Sequence, residues 1–135
     1  MTATRAFVVA SVLVAGCATR PYQPWFEPLP AMLTPHERFV RVRDVVRERY
    51  PRIVVAEATP LRVQSAWTPW RDRDTEGLRR ATVFEDGGRL GVVVETRFLV
   101  DDAFGTPEWS RTGAAPGLER ELGAALHAAL FTPGS

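Results

Sequence analysis

Chemistry has few places to reside in this 135-residue chain, and the first is Cys17. It is the only cysteine, and it follows Val14-Ala15-Gly16 and an apolar run at 6–14 (AFVVASVLV). A thiolate is the one good nucleophile in this segment, and the small Ala15 and Gly16 leave the backbone open to a peptidase. His36 and His127 stand about ninety positions apart, and neither has a cysteine or a second histidine near it in sequence. A metal site or a histidine-based triad would need distant partners that no spacing indicates. Asp72-Arg73-Asp74-Thr75-Glu76-Gly77 copies the opening of a calcium loop. That loop needs a bidentate glutamate at its twelfth position, where this chain has Val83, and Arg71, Arg73, Arg79 and Arg80 crowd the site. A charged hairpin tip is the expected reading. The chain also contains no phosphate-binding glycine loop. No catalytic residue, metal or cofactor is therefore expected, and the protein is read as non-enzymatic. A hydrolase built on His127, a serine and a carboxylate is the weakest of the functional readings.

Met1 to Arg5 form a short positive start, and the apolar run after them is too short to span a bilayer as a helix. The ending Val14-Ala15-Gly16-Cys17 resembles the lipobox of bacterial lipoproteins: an aliphatic residue, a small one, Gly or Ala, then Cys. All four positions match, and the resemblance covers about the first 17 residues. It implies that residues 1–16 are a lipoprotein signal peptide. It further implies that the Cys17 thiol is joined to a diacylglycerol, and that the new amino terminus is acylated after cleavage. Each buried methylene contributes about 0.8 kcal/mol, and stable attachment takes more than one chain. The lipid bilayer is thus the first expected partner. In such lipoproteins an Asp after the cysteine tends to retain the product in the inner membrane; here that residue is Ala18, which favours the outer membrane, facing the periplasm. The competing reading is a plain buried segment with a core cysteine. Arg5 and the abrupt change to Thr19-Arg20-Pro21, through which no helix continues, weigh against it.

Losing Arg5 with the leader leaves 16 of the 17 basic side chains against 16 acidic ones. A neutral balance supports no polyanion partner, and nucleic acid is not expected. With Cys17 lipidated, no thiol remains for a disulfide or a cysteine metal site.

Residues 17–34 carry prolines at 21, 24, 28 and 30 and the aromatics Tyr22, Trp25 and Phe26. The prolines prevent helix and favour an extended tether. Its apolar residues either fold back on the domain as a strap, which is favoured, or lie in the membrane interface. Residues 35–135 are expected to form a single α+β domain. Thr34-Pro35-His36-Glu37 is a capping-box start, and Phe39, Val42, Val46 and Tyr50 follow at helical spacing, with Pro51 as the stop. Three extended stretches come next: 53–67, broken at Pro60; 80–85; and 90–100. The last two flank Asp86-Gly87-Gly88, a hairpin connection. Along 90–100, Leu90, Val92, Val94, Thr96, Phe98 and Val100 share one face, which is expected to be buried. A final helix spans about 116–131. The order α-β-β-β-α predicts two helices packed on one face of an antiparallel sheet of three to four strands. In element order, residues 35–131 are similar to the helix-grip domains of lipoproteins attached to the outer-membrane barrel-assembly machinery, in particular its C subunit. The similarity is topological and carries no diagnostic motif.

Trp67 and Trp70, before the charged loop, and Phe104 and Trp109, after the last strand, remain as candidate partner-binding residues. Aromatics and arginines are enriched where proteins grip partners. Gathered at one end of the sheet, these four would rim a groove between sheet and helices. Closure of the edge of a small core is the other reading, slightly preferred. Two functional classes follow. The first is an interaction or assembly-accessory module of the cell envelope, docking to an envelope protein. The alternative is a small carrier whose groove between helices and sheet takes a lipid, glycan or peptide. A filled core with Trp70 or Trp109 exposed points to the first, a continuous apolar cavity to the second.

Overall fold

The helix start at Thr34 forms as its residue types dictate. In the computed structural model, which describes residues 23–101 and 103–131, Thr34 Oγ1 accepts the Glu37 N–H at 3.1 Å and Glu37 Oε2 accepts the Thr34 N–H at 3.0 Å. Two of the free amides at the helix start are satisfied by this reciprocal pair. The leader 1–16 and Cys17 lie outside the described residues, as does Tyr22. Helix α1 runs Pro35–Arg49 and helix α2 runs Pro116–Phe131. Between and before them lie β1 (Trp25–Pro28), β2 (Ile53–Ala58), β3 (Leu61–Ser65), β4 (Thr68–Asp72), β5 (Thr75–Asp86), β6 (Arg89–Asp101), β7 (Pro107–Trp109) and β8 (Gly113–Ala114).

The frame is the long antiparallel hairpin of β5 and β6, in register from Asp86↔Arg89 to Gly77↔Phe98. Each arm is flanked by shorter strands. On the β5 side, β3 pairs near the hairpin turn and β4 pairs farther out, with β2 outside β3. On the β6 side, β1 pairs from Arg89 to Val92, β8 at Glu95 and Thr96, and β7 from Leu99 to Asp101. All pairings are antiparallel.

The expected sheet of three to four strands in the order α-β-β-β-α is corrected by this topology: eight strands form among the described residues, and β1 precedes the first helix. The reason is legible in the missed elements. Strands β1, β4 and β7 each contain a proline and have 4, 5 and 3 residues, while β8 has two. A proline cannot donate to a ladder, so it demotes a segment to edge strand, and all three proline-bearing strands pair on one side only. The stretch 53–67 is two strands, because the chain reverses at Thr59-Pro60 and pairs Ala58 with Leu61. The segment read as a tether supplies β1, so residues 25–28 belong to the sheet.

The core explains why the helices sit where they do. Val42 and Val46 of α1, Leu122 and Leu126 of α2, Val63 of β3, Ala81 and Val83 of β5, and Leu90, Val92 and Val94 of β6 are buried to 1 % exposure or less. On each strand these residues alternate, so one sheet face feeds the core. Full burial of each such valine or leucine contributes about 1.5–3 kcal/mol. The helices pack on each other and chiefly on β1, β2, β3 and β6. Trp25 of β1 packs on this core. It lies across Gly123 of α2, where a Cβ would run into the indole ring. Arg41, from the charged side of α1, donates to the Ala129 carbonyl at 2.9 Å and so ties α1 to the last turn of α2.

One gap in the ladder is closed by a side chain. Val94 falls between the residues of β6 that pair with β1 and those that pair with β8. Buried Glu119, 2 % exposed, accepts the Val94 N–H at 3.1 Å, and the Ala115 N–H donates to the Val94 carbonyl at 2.9 Å. A buried amide left without an acceptor would cost about 1–3 kcal/mol, so the carboxylate here replaces a strand.

Candidate functional site

The β5–β6 hairpin outruns its helical cover. From Arg80↔Glu95 outward, its flanks are β4, β7 and β8. Here aromatic rings and guanidinium groups take the place of aliphatic packing. Because successive residues of a strand face opposite ways, Arg79 lies on the helix side of the sheet with Ala81, and Arg80 lies on the other side.

The sequence reading gathered Trp67, Trp70, Phe104 and Trp109 around one groove. The structure brings Trp70 and Trp109 to one pocket and separates the other two. Trp70 stands opposite Gly77 in the β4–β5 register. Its ring meets Phe98 edge-on at 5.5 Å, and the Arg79 guanidinium lies 4.1 Å over it. The close approach requires glycine at 77, since a Cβ there would collide with the indole and with the Arg97 carbonyl. Trp67 is on the far face, with Arg80 at 4.5 Å and Arg97 at 4.3 Å from its ring. Both cations are themselves held: Arg80 donates to Glu95 through Nε at 3.0 Å and Nη2 at 2.9 Å, and Arg97 Nε donates to Thr112 at 2.8 Å. Trp67 is thus locked into a closed stack. Stacks of this kind contribute about 0.5–1 kcal/mol each at exposed sites.

Trp109 pairs across from Leu99 and is 45 % exposed, and Phe104, in the loop between β6 and β7, is 93 % exposed. Trp70, Trp109, Pro69 and Leu78 line an open pocket of about 430 Å³, with the Arg71–Glu76 ion pair, 2.6 Å long, at its wall.

Alternation along β6 is as the sequence suggested, but its outer residues are not covered. Phe98 and Val100, expected on the buried face, are 38 % and 45 % exposed. Four of the seven exposed large apolar side chains among the described residues are therefore Phe98, Val100, Phe104 and Trp109. Sequence reasoning missed Phe98 and Val100 because their pattern continues that of core residues; only the end of the helical cover distinguishes them.

Asp72 to Gly77 form the β4–β5 hairpin tip, turning at Arg73 and Asp74, and Arg73 takes a positive φ of 53°. No cluster of three metal-ligating side chains occurs among the described residues. His36 opens α1, and it remains far in the chain from His127. The latter faces Glu27 of β1, with Nδ1 3.4 Å from Oε2, while Glu27 Oε1 accepts the Trp25 indole N–H at 3.1 Å. These contacts fasten β1 to α2. No described helix is long and apolar enough to cross a membrane. No family model matches the chain, and no curated protein matches it.

Proposed function

We propose that the protein is a non-enzymatic interaction or assembly-accessory module of the bacterial envelope. It is anchored through acylated Cys17, in the outer membrane facing the periplasm, and engages an envelope protein with the open end of its sheet. One observation carries this reading: Phe98, Val100, Phe104 and Trp109 are each exposed at the β6–β7 end, Phe98 and Val100 on one face of β6 and Trp109, opposite Leu99, on the other. Large apolar side chains left exposed at one end of a sheet mark an interaction site, and arginine with aromatic residues is the composition of binding hot spots. Over the covered half of the sheet, Val42, Val46, Leu122 and Leu126 fill the core, which supports docking over carriage of a lipid in a continuous apolar groove.

Two measurements test the proposal. Cys17→Ser should abolish radiolabelled palmitate incorporation and release the protein from membranes; continued labelling refutes the anchor. A photo-crosslinking residue at position 108, exposed beside Trp109 on β7, should capture a discrete envelope protein in living cells. The same residue at Val54, exposed on the opposite edge strand β2, should not. Equal yields from the two positions refute the docking surface.

A further inference from the structure

We propose that the protein binds a monocarboxylate bearing a short apolar group, in the pocket between the facing ends of the two helices and strands β4 and β5, with Arg79 as its anion-binding residue. The pocket has a volume of about 270 Å³, and its walls include Arg49, Tyr50, Trp70, Arg79, Leu118 and Glu121.

Arg79 differs from its neighbours. Arg80 and Arg97 each spend their guanidinium on a side-chain acceptor. Arg79 has neither a carboxylate nor any other acceptor among the described residues, and its Nε is buried without a partner. A guanidinium presents five donors in a planar fork whose geometry matches a carboxylate. Stacking on Trp70 at 4.1 Å holds the plane of that fork before any ligand arrives, so little side-chain freedom remains to be lost on binding.

The other walls define the ligand. Trp70 and Leu118 are apolar and accept a short hydrocarbon or aromatic group. Glu121 opposes a second negative charge, which favours a singly charged acid over a phosphate dianion. Tyr50 is 7 % exposed, and burial raises its hydroxyl above the ordinary phenol range, against the opposing pull of Arg79. At neutral pH it is therefore a neutral hydroxyl, able to donate to the same anion. The site is independent of the anchoring reading, because none of its residues belongs to the leader or to the exposed β6–β7 patch.

The test uses the full chain in detergent micelles and isothermal titration. Phenylpropionate is compared with its uncharged amide, and a dipeptide with a free phenylalanine carboxyl terminus is compared with its amidated form. At least one acid should bind, its amide roughly tenfold or more weaker, because charge-assisted hydrogen bonds are lost. The stronger of the two acids tells whether the natural source is a free acid or a peptide terminus. Arg79→Met should abolish acid binding, while Arg97→Met should leave it unchanged and Glu121→Gln should tighten it severalfold. The proposal is overturned if acid and amide bind equally, if neither acid binds at millimolar concentration, or if Arg79→Met binds like the parent. The amide comparison needs no variant and stands even where a substitution disturbs folding.

Discussion

The two halves of the sheet are built on different physics. Near the Gly87-Gly88 turn, the inward residues of β5 and β6 are aliphatic and fully buried in the core beneath the helices. At the other end the same two strands continue beyond the cover, and Arg79, Arg80 and Arg97 lie on tryptophan rings. The covered half is stabilised by non-directional apolar burial. The open half relies on stacking, on edge strands containing proline and on ion pairs with exposed partners, terms that are individually small in water. A single continuous hairpin thus joins a part held by apolar burial to a part held by stacking and edge pairing.

The sharpest way to break this contrast is to cut into each half and compare. Leu122→Ala, in the covered half, removes a side chain that is 1 % exposed and should lower unfolding free energy by about 2–5 kcal/mol in denaturant titration. A loss below about 1 kcal/mol would show that the helices are not fixed on the sheet. Gly77→Ala acts at the junction, where the new methyl meets the Trp70 ring and the Arg97 carbonyl. Overpacking of this kind should cost about 1–3 kcal/mol, with amide exchange accelerated in β4 before β3. Uniform acceleration would mean that the two halves unfold as one. The smallest effect belongs to Trp109→Ala, on the open end, which should change stability by no more than about 0.5 kcal/mol and yet remove crosslinking to the partner. A large loss of stability there would turn Trp109 into a structural residue and leave the docking surface without its central ring.

Much of the covered half can be read from the chain. Thr34 and Glu37 announce a helix through local hydrogen bonding, and Phe39, Val42 and Val46 show which side it buries. The β5–β6 hairpin follows from alternation on both sides of a glycine turn. The open half resists such reading. Trp67 and Trp70 are three residues apart, a spacing that strand alternation puts on opposite faces, but which face each takes is set only where the chain passes from β3 into β4 between them and pairs anew with β5. Phe98 and Val100 have the period of buried residues and are exposed only because α2 packs elsewhere. Arg79 and Arg80 are adjacent in sequence, and only the sheet gives one a carboxylate and leaves the other without.

Everything whose cause lies within a few residues is therefore legible in the chain: the capping box, the helical stripes, the hairpin turn and the lipobox resemblance at Cys17. Which short strands join the sheet, where the helical cover stops and which guanidinium stays unpaired depend on the whole fold. The physical reason is the range of the interactions. A helix turn or a hairpin satisfies its backbone locally, whereas a strand of two to five residues gains its hydrogen bonds from an edge that another part of the chain must first provide.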